Sequence, residues 1–206
     1  LFQGQHYYWQ KKRRGPAALD LGARSFVTYI QNHDQVANSL GGDRIHALSS
    51  PPELRPVTAL FLPAPPTPML FQGQEFGASA PFLYFADQNA EIAASIDGDR
   101  RKFLAQFASV AALPASERLG SAFDPRAFER CKLAFTEGER HAELYRLHRD
   151  LLALRHEDPA FRQQRADLLH GAVLSPAALL LRFFCSEGDR LLVMNLGPDL
   201  KLAPAP

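Results

Sequence analysis

The chain has 206 residues, of which 46% are hydrophobic and 22% charged, a balance typical of a globular protein of one to one and a half domains. Its 23 basic and 22 acidic side chains give a formal net charge of +1, without the basic excess that a nucleic-acid-binding surface needs. No run of 18 apolar residues predicts a transmembrane helix, and two cysteines, Cys131 and Cys185, are too few for a disulfide framework and favour a reducing, cytoplasmic location.

The first 24 residues predict a loop. They include a block of four cations at 11–14, which we interpret as a solvated face rather than a phosphate site. The chain begins Leu-Phe-Gln-Gly without Met and stops after a strand-like run. We expect it to be natural sequence from a longer protein; the alternative for the start is a protease-site scar.

A strand, a helix and a second strand follow. Residues 25–31 are β-branched, aromatic and almost continuously apolar, which predicts a strand buried on both faces. Ser50, Pro51 and Glu53 form the start signal of a helix, and an apolar strand is predicted at 68–72. This order predicts a βαβ unit and therefore a parallel sheet.

The remaining chain divides into an irregular, a helical and a strand-rich part. The less regular pattern of residues 77–125 predicts a long loop with a helix near 100–110, and a loop of this length more often has a function than not. An apolar stripe predicts a helix at 141–157, preceded by a capping box from Thr136 to Glu139. Two apolar runs at 178–184 and 191–196 predict an antiparallel hairpin. We therefore expect an α/β domain over residues 1–160, and we expect residues 161–206 to be the beginning of an all-β domain.

Residues 31–35, Gln-Asn-His-Asp-Gln, carry the strongest chemical signal, because they lie where the first strand ends. A carboxylate beside a histidine can bind sugar hydroxyls, hold a metal or assist acid–base chemistry. From these residues alone, a structural cap made by Asp34 is an equal alternative. Glu75 favours a salt bridge or loop anchor, and His141 and His148 favour helix packing over a metal site.

Six groups of segments resemble the α-amylase superfamily, and within it the malto-oligosyltrehalose trehalohydrolase family. Segment 26–34, Phe-Val-Thr-Tyr-Ile-Gln-Asn-His-Asp, resembles the superfamily signature on the seventh strand of its barrel. The chain departs from the family pattern at Gln74, where an acidic residue is common, and at Asp87-Gln88, where Asp-His is common. The other similar segments are 35–38 with 42–44, 67–77, 80–87, 123–133, and 3–5 with 13–15.

The resemblance implies the last part of a (β/α)8 barrel, about its seventh and eighth strands and following helices, plus the start of a carboxyl-terminal antiparallel β-sandwich. It implies a retaining glycosidase that hydrolyses the α-1,4 bond next to the trehalose unit of maltooligosyl trehalose. The nucleophile and the acid/base are then not in this chain, which we expect to be inactive alone and to complete its barrel with upstream chain. No cofactor, metal, nucleic acid or membrane is implied.

The same resemblance assigns site residues. Asp34 matches the carboxylate that stabilises the transition state, and its side chain is expected to point into a shared sugar pocket. The resemblance also implies that His33 binds the same sugar ring. From their positions in the sequence, we further expect substrate binding by Asn32, Gln35, Phe82, Tyr84 and Phe85. Two alternatives remain open: another superfamily enzyme, acting in glycogen branching or debranching, and a non-catalytic carbohydrate-binding module.

Overall fold

The computed structural model describes residues 3–18, 20–39, 41–87, 89–112 and 120–202. Within them, short strands and helices are mixed up to residue 68, helices follow up to residue 162, and a three-stranded sheet comes last. The helices are α1 (His33–Ala37), α2 (Ile45–Leu48), α3 (Pro51–Phe61), α4 (Ala90–Leu104), α5 (Ala108–Ala111), α6 (Pro125–Arg130), α7 (Glu137–Arg140), α8 (Ala142–Glu157) and α9 (Pro159–Arg162). The strands are β1 (His6–Tyr7), β2 (Lys12–Arg13), β3 (Val27–Thr28), β4 (Thr67–Pro68), β5 (Leu169–Ser175), β6 (Ala178–Phe183) and β7 (Arg190–Asn195).

The predicted βαβ unit is confirmed. Strands β3 and β4 pair in parallel, with Val27 opposite Thr67, and α3 lies between them in the chain. Helix α3 starts as the sequence predicts: the Glu53 carboxylate accepts from the Ser50 backbone N–H at 2.9 Å and from its hydroxyl at 2.8 Å. A local capping signal therefore fixes the crossover that brings the two strand ends side by side.

The strands are shorter and more exposed than the sequence predicts. Residues 25–31 contribute only Val27–Thr28 to the ladder, and 68–72 contribute only Pro68 of the pair Thr67–Pro68. Burial on both faces is wrong for this chain, since Val27 is 59% exposed. The physical reason is that, among the described residues, β3 has a single hydrogen-bonded neighbour, β4. An apolar strand is buried only where other elements cover it.

A buried arginine holds the turn between α3 and β4. Arg155, on α8, is 7% exposed, and its guanidinium donates to the carbonyl of Leu62 at 2.9 Å, to that of Pro66 at 2.9 Å and to that of Ala64. Helix α8 itself matches the helix predicted at 141–157. Its start differs, because the separate helix α7 precedes it and the Thr136 side chain makes no capping bond.

The stretch 77–125 is more helical than predicted. Instead of a helix at 100–110, α4 runs over Ala90–Leu104 and the short α5 over Ala108–Ala111. The side chain of Asn89 accepts from the Ile92 N–H at 3.0 Å and so starts α4 ten residues earlier. Gly98 lies inside the helix without ending it, which shows that one glycine is a weak breaker.

The carboxyl-terminal sheet has the order β5-β6-β7, antiparallel throughout. The hairpin predicted from 178–184 and 191–196 is therefore confirmed as β6 and β7, while β5 was not predicted. Phe161 of α9 packs against Phe183 of β6 with ring centroids 4.8 Å apart. At the other end of the chain, the predicted loop contains the small hairpin of β1 and β2. A division at residue 160 stays a prediction.

Among the described residues, none of the helices combines the length and the apolar character required to span a bilayer.

Candidate functional site

Asn32 and Gln35 start helix α1, and residues 29–31 connect this helix to strand β3. The Asn32 side-chain oxygen accepts from the N–H groups of Asp34 at 2.9 Å and Gln35 at 3.2 Å. In return, the Gln35 side-chain oxygen accepts from the Asn32 N–H at 2.8 Å. This reciprocal capping box means that two predicted substrate-binding side chains already use an oxygen atom to shape the loop.

His33 and Asp34 are the exposed members of the same segment. Their side chains are 66% and 72% exposed, and His33 Nε2 lies 3.3 Å from Asp34 Oδ1. The cap is therefore made by Asn32, which leaves the Asp34 carboxylate free for a ligand. Four of the cavities on the described part of the molecule have volumes of about 340 to 720 Å³, and neither side chain lines any of these four. Within this chain, the carboxylate of Asp34 faces open solvent.

Two buried amides connect the loops that follow β3 and β4. Gln31 donates from Nε2 to Gln74 Oε1 at 3.4 Å and accepts from the Ile45 N–H at 2.9 Å. Both side chains are 3% exposed, and Gln74 Nε2 is buried with no partner within the described residues. The neutral Gln74 therefore completes a structural contact. Glu75 next to it makes none of the ion pairs found among the described residues, so its predicted salt bridge is not observed.

The three predicted aromatic residues separate into two groups. Phe82 packs edge-on against Phe71 at 5.0 Å and lies 5.8 Å from Phe85, and both line a cavity of about 720 Å³. Tyr84 lines a different cavity of about 420 Å³, where the Arg100 guanidinium lies 4.9 Å from its ring centroid. The structure thus brings Phe82 and Phe85 together and places Tyr84 on another surface.

Buried arginine and histidine side chains support these loops, and among them sequence reasoning missed Arg44 and His46. Arg44 is 2% exposed and donates to the carbonyls of Ala80 at 2.7 Å and Gln72 at 2.6 Å. Burial lowers the pKa of the Arg44 guanidinium and also the pKa values of His46 and His148. The sequence does contain a signal for Arg44, because Gly42-Asp43-Arg44 belongs to a segment that resembles the family. The spacing of these residues in the sequence does not, however, reveal which distant carbonyls Arg44 contacts.

His141 and His148 take structural positions, as expected. His141 Nδ1 lies 2.9 Å from the Phe76 carbonyl oxygen, and His148 Nδ1 lies 2.9 Å from that of Leu144. In the part of the chain that the structure describes, no group of three His, Cys, Asp or Glu side chains has the arrangement of a metal site. Cys131 and Cys185 are free thiols.

Comparison with known proteins connects this arrangement to one family. No family model matches the chain. It is 37% identical to the malto-oligosyltrehalose trehalohydrolase of Deinococcus radiodurans over 209 residues, which cover 97% of this chain and 33% of that protein. The enzyme of the same name from Mycobacterium tuberculosis is 37% identical over 76% of this chain and 27% of its own length.

A solved structure shares the fold. The crystal structure from Salmonella typhimurium described as that of an α-amylase superimposes with a TM-score of 0.80 and 28% identity, over 97% of this chain and 35% of the other. The chain spans about a third of the length of the curated relative that it matches over 209 residues. Sequence and fold together show that the chain is similar, over about a third of their length, to malto-oligosyltrehalose trehalohydrolases and to an α-amylase-type structure.

Proposed function

We propose that the protein containing this chain hydrolyses the α-1,4-glucosidic bond next to the trehalose unit of maltooligosyl trehalose and releases trehalose. The observation that carries the proposal is an exposed carboxylate, Asp34, beside His33 at the end of a parallel strand, in a chain 37% identical to named trehalohydrolases. Active sites of (β/α)8 barrels lie at this end of the strands. The proposed location is cytoplasmic.

In this proposal, β3 and β4 are the seventh and eighth strands of a (β/α)8 barrel, and residues 161–206 begin a carboxyl-terminal β-domain. Support comes from the parallel register of the two strands and the antiparallel sheet that follows. The nucleophile and the acid/base belong to other strands of the same protein, about 5 Å apart as retention requires. Those strands would cover the exposed β3 and form the remaining wall of the sugar pocket.

Asp34 stabilises the transition state in this mechanism. Among the described residues, the Asp34 carboxylate has a neighbouring histidine as its charge partner and no other, so it can accept hydrogen bonds from sugar hydroxyls. Its negative charge also stabilises the positive charge that develops on the sugar ring in an oxocarbenium-like transition state. His33 would contact the same ring. Asn32 and Gln35 hold the loop, and Phe82, Tyr84 and Phe85 shape the surfaces that contact neighbouring sugar units.

The test is trehalose release by the full-length protein from maltooligosyl trehalose, with glycogen and pullulan as competing substrates. We expect preference for the first substrate and a loss of at least about a hundredfold in kcat for Asp34→Asn, which keeps the shape and removes the charge. Preference for glycogen or pullulan would instead indicate a branching or debranching enzyme. Wild-type kcat in D34N would exclude the proposed role of the carboxylate.

A further inference from the structure

Helix α1 carries His33 and Asp34 at its start, and its last residue is held by a distant side chain. The carbonyl of Ala37 accepts a hydrogen bond from Arg100 Nη2, which comes from α4, 63 residues further along the chain. The last four carbonyls of a helix have no partner inside the helix, so this bond satisfies one of them. Because α1 has five residues, a rise of about 1.5 Å per residue puts Ala37 only about 4.5 Å beyond Asp34 along the axis.

Arg100 also contacts the aromatic part of the predicted site. Its guanidinium carbon lies 4.9 Å from the centroid of the Tyr84 ring, at the distance of a cation–π contact. Both side chains line the cavity of about 420 Å³. One planar group therefore contacts the helix of the catalytic carboxylate and the ring of a predicted substrate-binding residue. An ammonium group lacks this flat shape and cannot reproduce both contacts at once.

Helix α4 is itself anchored one turn before Arg100. The Asp97 carboxylate accepts from the Ser121 hydroxyl at 2.6 Å and from the Ala122 N–H at 3.1 Å. Arg100 takes part in none of the ion pairs found among the described residues, so its guanidinium is not committed to a carboxylate. Because α4 is anchored, the Arg100 side chain can hold α1 in a fixed position relative to it.

We propose that Arg100 is a positioning residue: packed on the Tyr84 ring, its guanidinium bonds the end of α1 and so fixes the orientation of Asp34. The inference rests on the proposed function, because it assigns Arg100 a role through the Asp34 carboxylate. Arg100 does not contact the reacting atoms. It determines whether Asp34 stands where the developing charge will be, and a misplacement of about 1 Å at such a group costs up to about a hundredfold in rate.

The test uses the full-length protein and three variants, Arg100→Met, Arg100→Lys and Arg101→Met, with kcat and KM measured on maltooligosyl trehalose per folded molecule. R101M is the matched control, since Arg101 is the exposed neighbour on the same helix. We expect R100M to lose about ten- to a hundredfold in kcat with KM changed less than threefold, because Asp34 acts most strongly in the transition state. R100K should lie between R100M and wild type, and R101M should equal wild type.

Three results would overturn the inference. A wild-type kcat in folded R100M would show that the contact is only structural, and a raised KM with unchanged kcat would show simple substrate binding. If R100M does not fold, R100K decides, and a wild-type kcat in that variant counts against positioning. D34N separates the two claims: an inactive D34N with an unaffected R100M refutes the inference alone, whereas an active D34N refutes the proposed function.

Discussion

Replacing Arg155 by methionine tests whether one buried side chain holds strand β4 in place. Met keeps most of the length of the stem and removes the three hydrogen bonds to the carbonyls of residues 62, 64 and 66. Burial lowers the pKa of the Arg155 guanidinium, but it stays charged at neutral pH because its ordinary value is so high. The loss is therefore one of hydrogen bonds at a site where water cannot easily replace them.

The magnitude follows from the three bonds. A net value of about 1 kcal/mol for each gives about 3 kcal/mol for local opening of the turn, and a charged donor can raise it further. Every 1.4 kcal/mol is tenfold in an equilibrium constant, so the opened state becomes about a hundredfold more populated. The amides that report this opening are those of Thr67, which donates to the Phe26 carbonyl at 2.9 Å, and Met69, which donates to that of Thr28 at 2.8 Å.

Hydrogen exchange of the peptide covering 62–70 in the full-length protein measures this change. The segment contains four prolines, so few other amides contribute to the signal. R155M should exchange about a hundredfold faster at Thr67 and Met69. The control is Arg149→Met on the same helix, which breaks only an exposed ion pair to Asp150 and should change exchange less than threefold. Exchange in R155M within threefold of wild type would refute the reasoning.

Two further predictions concern the cap of α1 and the buried histidines. Asn32→Ala should destabilise α1 by about 1 kcal/mol and speed amide exchange of residues 36–39 about fivefold, while Asn32→Asp keeps the accepting oxygen and should not; equal exchange in both variants would contradict this. Because burial lowers the folded-state pKa values of His46 and His148, the unfolded chain binds more protons just below its ordinary pKa of about 6.5. The stabilising contribution of the two neutral histidines is full above that pH and falls as the pH drops through it. The urea midpoint of unfolding should therefore fall between pH 7.5 and 5.5, and it should fall less steeply in His148→Gln. An identical fall in H148Q would show that His148 does not contribute to the pH dependence.

Local signals in the sequence predicted the start of α3 and the hairpin, because both depend on residues a few positions apart. Ser50 and Glu53 contact each other across three positions, and the apolar runs of β6 and β7 are joined by a short turn. Strand length at β3 could not be predicted in the same way. Apolar residues at 25–31 indicate what the segment can bury, whereas burial depends on which neighbours are present.

The candidate site was only partly visible for a related reason. The position of Asp34 after a parallel strand follows from the pattern of strands and helix. The side chains that support the site act over long separations: Arg100 reaches Ala37 from 63 residues away, and Arg155 reaches Ala64 from 91. No local periodicity indicates such contacts. Likewise, Tyr84 is separated from Phe82 and Phe85 because α4 and α6 pack around these three residues. Their neighbouring positions in the sequence do not indicate this separation.

The supporting arginines bind main-chain oxygens, and this has a consequence for sequence change. Arg44 reaches the carbonyls of Gln72 and Ala80, and Arg155 reaches those of the turn before β4. A carbonyl is present whatever side chain its residue carries. Loops at 62–66, 72 and 80 can therefore accumulate substitutions while their path is preserved. The two arginines cannot be substituted in the same way, because even lysine lacks the forked set of N–H donors that reaches several carbonyls at once.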